Sequence, residues 1–223
     1  KSMSNYELML LIHIILFCYW LGGDIGVFYS SNFVVDSKLS RETRLVAAKI
    51  MLGCDLIPKI CMSLMLTVGG ILTHYNGIDH PLWQWIGIIL LGPVWLSIVL
   101  VQHFKHQAAY IPTLTKIDFY FRWLLVAGIV ISCLISLSTG RLDDAPWVTA
   151  KLLGFAFLIF CGLMIRISLK DFGASYTKIA QNNYDEADNQ AMALSLKKVK
   201  PWVVTIWIVL VIEAALGIVK PIF

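Results

Sequence analysis

Tyr6, His13, Trp20, Asp24 and Ser31 recur at steps of seven and four along the first apolar stretch. In an α-helix such steps return to one face. Imidazole is a common ligand of haem iron and other metals. An ionisable group at membrane depth is expensive and normally faces the protein interior or a wet cavity. His13 is therefore a candidate cofactor and metal ligand, Trp20 a candidate cofactor contact, and Asp24 a candidate proton-carrying group. The plainer alternative is that His13 and Asp24 only make interhelical hydrogen bonds. Gly22 and Gly26 lie nearly opposite this face. As a small-xxx-small pair they are expected to let a partner subunit or a second copy approach closely.

Further polar groups interrupt the apolar sequence. Lys151 and Glu213 stand inside the fifth and sixth apolar stretches, where a charge needs a reason. Helix starts near residue 8 and at about Pro146 would put His13 and Lys151 at a similar depth, about 7.5 Å at about 1.5 Å per residue. The pairs Asp55/Lys59 and Asp118/Arg122 are spaced i,i+4, where opposite charges meet on a helix. They are expected to be mainly structural, holding helix ends at the interface by snorkelling. His103 and His106 are expected to be solvated, whereas His74 and His80 occupy a short outer loop. Met51, Cys54, Cys61 and Met65 form a sulfur stripe around Pro58. Soft sulfur ligands suit Cu(I), but the same residues are ordinary packing groups in a membrane helix. No phosphate-cradling glycine loop, nucleophile elbow or H-E-x-x-H motif occurs.

The elements that must position these residues are membrane helices. Hydrophobic residues make up 58% of the 223, charged residues 14%, and the mean hydropathy is +0.76. Soluble domains carry about 45–50% apolar and about 25% charged residues. Six stretches are long enough to span a bilayer: roughly 8–30, 52–73, 82–103, 121–139, 147–169 and 201–219. Short alternating β segments are absent, so the expected fold is an all-α bundle of six transmembrane helices forming one domain. The first span is too long for a signal-peptide core and lacks a cleavage site, which predicts a retained helix. Met3 is expected to be the native start, preceded by two added residues.

Most of the 18 basic residues cluster at one set of helix ends and loops, with only Lys1, Arg141, Lys151 and Lys220 on the other side. The positive-inside rule then predicts termini outside the cytoplasm. The net charge of +4 reports this topology, and no basic, aromatic-studded groove points to nucleic acid. Residues 36–50 and 171–200 are polar enough for cytoplasmic helices or helix extensions. Five cysteines without a CxxC suggest neither a disulfide framework nor a zinc knuckle. Asp55-Leu-Ile-Pro-Lys59 and Asp118-Phe-Tyr-Phe-Arg122 open two apolar hairpins, a weak sign that helices 2–3 and 4–5 are duplicated.

His13-x6-Trp20-x2-Gly23 resembles the first helix of HemJ-type protoporphyrinogen oxidases. Trp147-x3-Lys151-Leu152 is similar to the segment that holds their functional lysine, and Lys200-Pro201 precedes a similarly placed last helix. Trp20-Leu-Gly-Gly23 also resembles a motif of CopD-like membrane domains. The chain departs from the HemJ pattern by an additional hairpin, by the absence of a Pro-Gly-Met-like element in helix 4, and by the absence of a lysine just before His13. The resemblance implies b-type haem held by His13 and electron exchange with the quinone pool in a bacterial inner membrane. Within that expectation Lys151 binds a haem propionate or the substrate, and Asp24 with Glu213 relays protons. Porphyrinogen oxidation is the enzymatic version. The alternatives are a CopD-like copper transporter using the sulfur stripe, and a non-catalytic membrane anchor for a redox enzyme.

Overall fold

The computed structural model describes residues 3–105 and 107–222; the expectation for His106 falls outside them. Among the described residues there are seven helices and no strands: α1 Asn5–Val35, α2 Arg41–Tyr75, α3 Leu82–Phe104, α4 Ile111–Thr139, α5 Pro146–Ser168, α6 Lys170–Ala180 and α7 Glu186–Val219. All except α6 are long and apolar enough to cross a membrane. The many exposed Leu, Ile, Val and Trp side chains along them, such as Leu82, Leu124, Ile135 and Ile212, face lipid. The chain is a multi-pass helical membrane protein.

Helix ends follow local chemistry. Pro146 opens α5 at a position where its missing N–H costs nothing. Asp185 and Asp188 close a capping box at the start of α7. Gly77 and Gly140 end α2 and α4 in turns with positive φ, which glycine adopts without a Cβ penalty. The 35 residues of α2 and the 34 of α7 measure about 50 Å at about 1.5 Å per residue. A hydrocarbon core of about 30 Å cannot contain them, so their polar ends project beyond it. The helix extensions expected over 36–50 and 171–200 are thus borne out, with α6 as a separate short helix.

The chain forms two compact units. The first comprises the chain up to Gly26 together with Gly53–Asp118. Here α1 and α2 run antiparallel, with Tyr6 against Tyr75, His13 against Gly69, Gly23 against Pro58 and Gly26 against Cys54 in regular succession. Between lipid-solvated helices there is little hydrophobic drive, and close backbone approach at small residues takes its place. A Cβ at Gly23 would lie 2.7 Å from Pro58 Cδ, and one at Gly26 would lie 3.1 Å from the Cys54 sulfur. The close contact is therefore made by Gly23 and Gly26. A Cβ at Gly22 would meet nothing within 4 Å, because a step of three rather than four follows the α2-facing side here.

α2 and α3 are locked by a hydroxyl. Thr67 Oγ1 donates to the Ile88 carbonyl at 2.6 Å and accepts from the Gly92 N–H at 2.9 Å. These two α3 groups are i and i+4, so Thr67 inserts into the helix's own ladder just before Pro93. A Cβ at Gly92 would lie 2.6 Å from that oxygen.

The second unit comprises Val27–Leu52 and Phe119–Phe223. α5 packs along α7, burying Phe155, Leu158, Ile159 and Leu163 with Ile206 and Leu210. At its basic end Val34, Ala47, Ala48, Phe172, Ile179 and Met192 form a small apolar core outside the spans. Arg44, 2% exposed, donates to the Val34 carbonyl at 2.8 Å and to Asn189 at 3.0 Å. Arg41 caps the end of α6 through the carbonyls of Ile179 and Ala180. Lys178 pairs with Asp188 at 2.8 Å, and Lys200 bonds Asn32 at 3.0 Å.

Candidate functional site

The polar face expected on α1 is turned into the protein. Trp20 and Ser31 are each 3% exposed, and Tyr6, His13 and Asp24 are half-buried. The His13 ring meets α2 at Gly69, where a Cβ would stand 3.6 Å from Cε1. Glycine there leaves the imidazole room between the helices. The antiparallel register sets Trp20 at the level of Cys61 and Met62, both buried. Asp24 follows one turn on. On α2, Asp55 is ion-paired with Lys59.

The second unit brings together two residues 62 apart in sequence. Lys151 stands five residues into α5, and Glu213 six residues before the end of α7. The Lys151 ammonium donates to the Glu213 backbone carbonyl at 2.6 Å and lies 3.6 Å from the carboxylate. Their side chains are only 23% and 13% exposed. Two glycines make the arrangement sterically available. A Cβ at Gly217 would lie 3.3 Å from the ammonium nitrogen, and one at Gly154 would fall on the carboxylate itself, 2.9 Å from its carbon. Each charged residue thus lies over a glycine of the opposite helix, about one turn beyond its partner.

The remaining candidate residues divide. Asp55 and Lys59 do form an i,i+4 ion pair with both side chains substantially exposed, as expected of an interfacial pair. Asp118 and Arg122 do not fit the snorkelling expectation: Asp118 is 1% exposed and Arg122 8%, because they share the inward face of α4, while Ile117, Tyr120 and Leu124 beside them are exposed. Of the sulfur stripe, Cys61 and Met65 are buried and Cys54 packs on Gly26, an arrangement that serves helix packing. His74 and His80 both stand edge-on to Trp85, and His80 shares a 2.9 Å hydrogen bond with Thr73. His103 lies beside Phe104 at the end of α3. Among the described residues no group of three or more His, Cys, Asp or Glu side chains is arranged to hold a bare metal ion.

Residue spacing did not reveal Gly154, Gly217, Thr67 or Arg44. The signals available were weak: a glycine three residues after Lys151 and another four after Glu213. Compared with family models, curated proteins and solved structures, the chain matches none.

What these residues offer chemically is narrow. His13 is a single imidazole facing α2, which could supply one ligand to an iron already held in a macrocycle but could not by itself form a multidentate cage. Lys151 and Glu213 form a charge-neutral pair in a low-dielectric layer, able to hold a proton or meet an anionic group.

Proposed function

We propose that the chain is a haem-b-binding redox protein of a bacterial inner membrane, with both termini on the outer side. The observation that carries this reading is the placement of His13 on the interior face of α1, with its ring against Gly69. Gly69 leaves the imidazole room between α1 and α2, and a single imidazole on an interior helix face is the kind of ligand that haem iron takes. The sequence resemblance of His13-x6-Trp20 and Trp147-x3-Lys151 to HemJ-type and CopD-like proteins supports the same reading.

His13 would hold the iron, and buried Trp20, two turns on along the same face of α1, would contact the haem. Haem, when bound, supplies reversible one-electron transfer, with a quinone as the electron acceptor. Within the second unit Lys151 would offset the charge of an anionic substrate such as a porphyrinogen, and Glu213 there, like Asp24 in the first unit, would hold and pass the protons that accompany oxidation. A group bound at Lys151 must compete with Glu213 for the ammonium. The pair therefore acts as a unit and keeps the charge neutralised when nothing is bound.

The visible spectrum of the detergent-purified chain, oxidised and dithionite-reduced, tests this. A Soret band with reduced b-type maxima is expected. His13→Ala is expected to abolish it, whereas Lys151→Met weakens haem retention or removes activity while haem stays. A folded His13→Ala protein with an unchanged haem spectrum would overturn the ligand assignment.

A further inference from the structure

We propose that Lys151 and Glu213 form a one-proton exchange site open to the end of the membrane at which α5 begins and α7 ends, and that Gly154 and Gly217 are its positioning residues. The inference deepens the proton-relay part of the function proposed above and rests on it; it does not depend on haem.

The geometry separates the tasks of the two side chains. Lys151 makes its short bond, 2.6 Å, to the backbone carbonyl of Glu213 and stands 3.6 Å from the carboxylate oxygen. Within a regular helix that carbonyl accepts from residue i+4, which is Gly217. Because Gly217 has no Cβ, the ammonium can lie against α7 there and use the carbonyl's second lone pair. The cation is thus anchored to the backbone independently of the carboxylate. A proton added to Glu213 removes the ionic attraction but leaves the Lys151 anchor intact, so the pair changes by one charge without losing its structure.

The carboxylate lies over Gly154, buried by apolar helix surface. Glu213 is six residues from the end of α7, about 9 Å at about 1.5 Å per residue, within one or two turns of water. On the elements around it, α5 contributes Lys151 as the cation paired with Glu213. Among the described residues of the second unit, the remaining charges at this end are Lys220, over the Trp147 ring, and Arg141, Asp143 and Asp144 in the α4–α5 turn. The charges of α6 belong to the opposite end of α7, where Lys178 meets Asp188.

The experiment is labelling of the purified full chain with dicyclohexylcarbodiimide, an apolar reagent that adds to protonated carboxyls, across pH 5–9, with the site of the adduct located by mass spectrometry. Glu213 is expected to be labelled, faster as the pH falls. Lys151→Met is expected to raise labelling at neutral pH several-fold by removing the cation that favours the carboxylate. Gly154→Ala places a methyl on the carboxylate and is expected to change the rate; if it does not fold, Gly217→Ala, with its milder 3.3 Å contact, is expected to do so by displacing the ammonium. No adduct at Glu213 at any pH, or a rate indifferent to both pH and Lys151→Met, would overturn the proposal. Haem content read on the same sample separates the two ideas: haem with unlabelled Glu213 rejects only the exchange site, and labelled Glu213 without haem rejects only the haem reading.

Discussion

Thr67 shows how much one hydroxyl does between membrane helices. It satisfies the Gly92 N–H and the Ile88 carbonyl at once, beside Pro93, which itself cannot donate. Thr67→Val keeps the shape and removes both bonds, stranding buried backbone groups in a medium that offers no water. The expected loss is about 1–3 kcal/mol, read as a lower midpoint of thermal unfolding in detergent, with Thr67→Ser close to the parent. Equal stability of the Val and Ser variants would show that the ladder closes without the hydroxyl. In the function proposed above, His13 and Lys151 belong to the same scale: each would act through one atom, the first as a ligand nitrogen and the second as a cation on a carbonyl.

At the scale of elements, the projecting ends of α2 and α7 and the short α6 are tied together by Arg41 and by the buried Arg44. α6 is joined to α7 by the Lys178–Asp188 bond, which holds the Lys178 ammonium above the usual lysine value of 10.5, chiefly through that hydrogen bond. A raised folded-state value means that the stabilisation is complete below pH 10.5 and is lost as pH rises through the higher folded value. At about pH 9, Lys178 is therefore expected to acetylate more slowly than exposed Lys197, and Asp188→Asn is expected to remove the difference. Equal rates in the parent protein would show that the pair does not persist in solution.

The whole molecule is organised by which ends carry the basic residues. Lys38, Arg41, Arg44 and Lys49, with Lys170, Lys178, Lys197, Lys198 and Lys200, belong to one end of the second unit, which also carries the small apolar core outside the spans. If that end is cytoplasmic, as the positive-inside rule requires, a reporter active only outside the cytoplasm should be active when fused after Phe223 and silent when inserted in the α6–α7 turn. The reverse pattern would invert the topology and place the Lys151–Glu213 pair near the cytoplasm.

Sequence by itself determined the helices, because the signals for them are local. A run of about 20 apolar residues has one stable arrangement in lipid, with every backbone group bonded within its own helix. Pro146, Gly77 and Gly140 mark ends through their own backbone preferences. The inward face of α1 was legible for a related reason: His13, Trp20 and Asp24 share a helical repeat, and charge avoids lipid. Tertiary structure alone decided what those faces meet. Nothing within one helix says that Gly69 stands opposite His13, that Gly23 rather than Gly22 touches α2, or that Asp118 is enclosed. Lys151 and Glu213 each read as an isolated costly charge. Their pairing depends on the register of α5 against α7, in which Gly154 and Gly217 come to lie under the two charged side chains. That register comes from the fit of two surfaces, and a glycine's contribution to such a fit is an absence of atoms, which no periodicity of side chains can report.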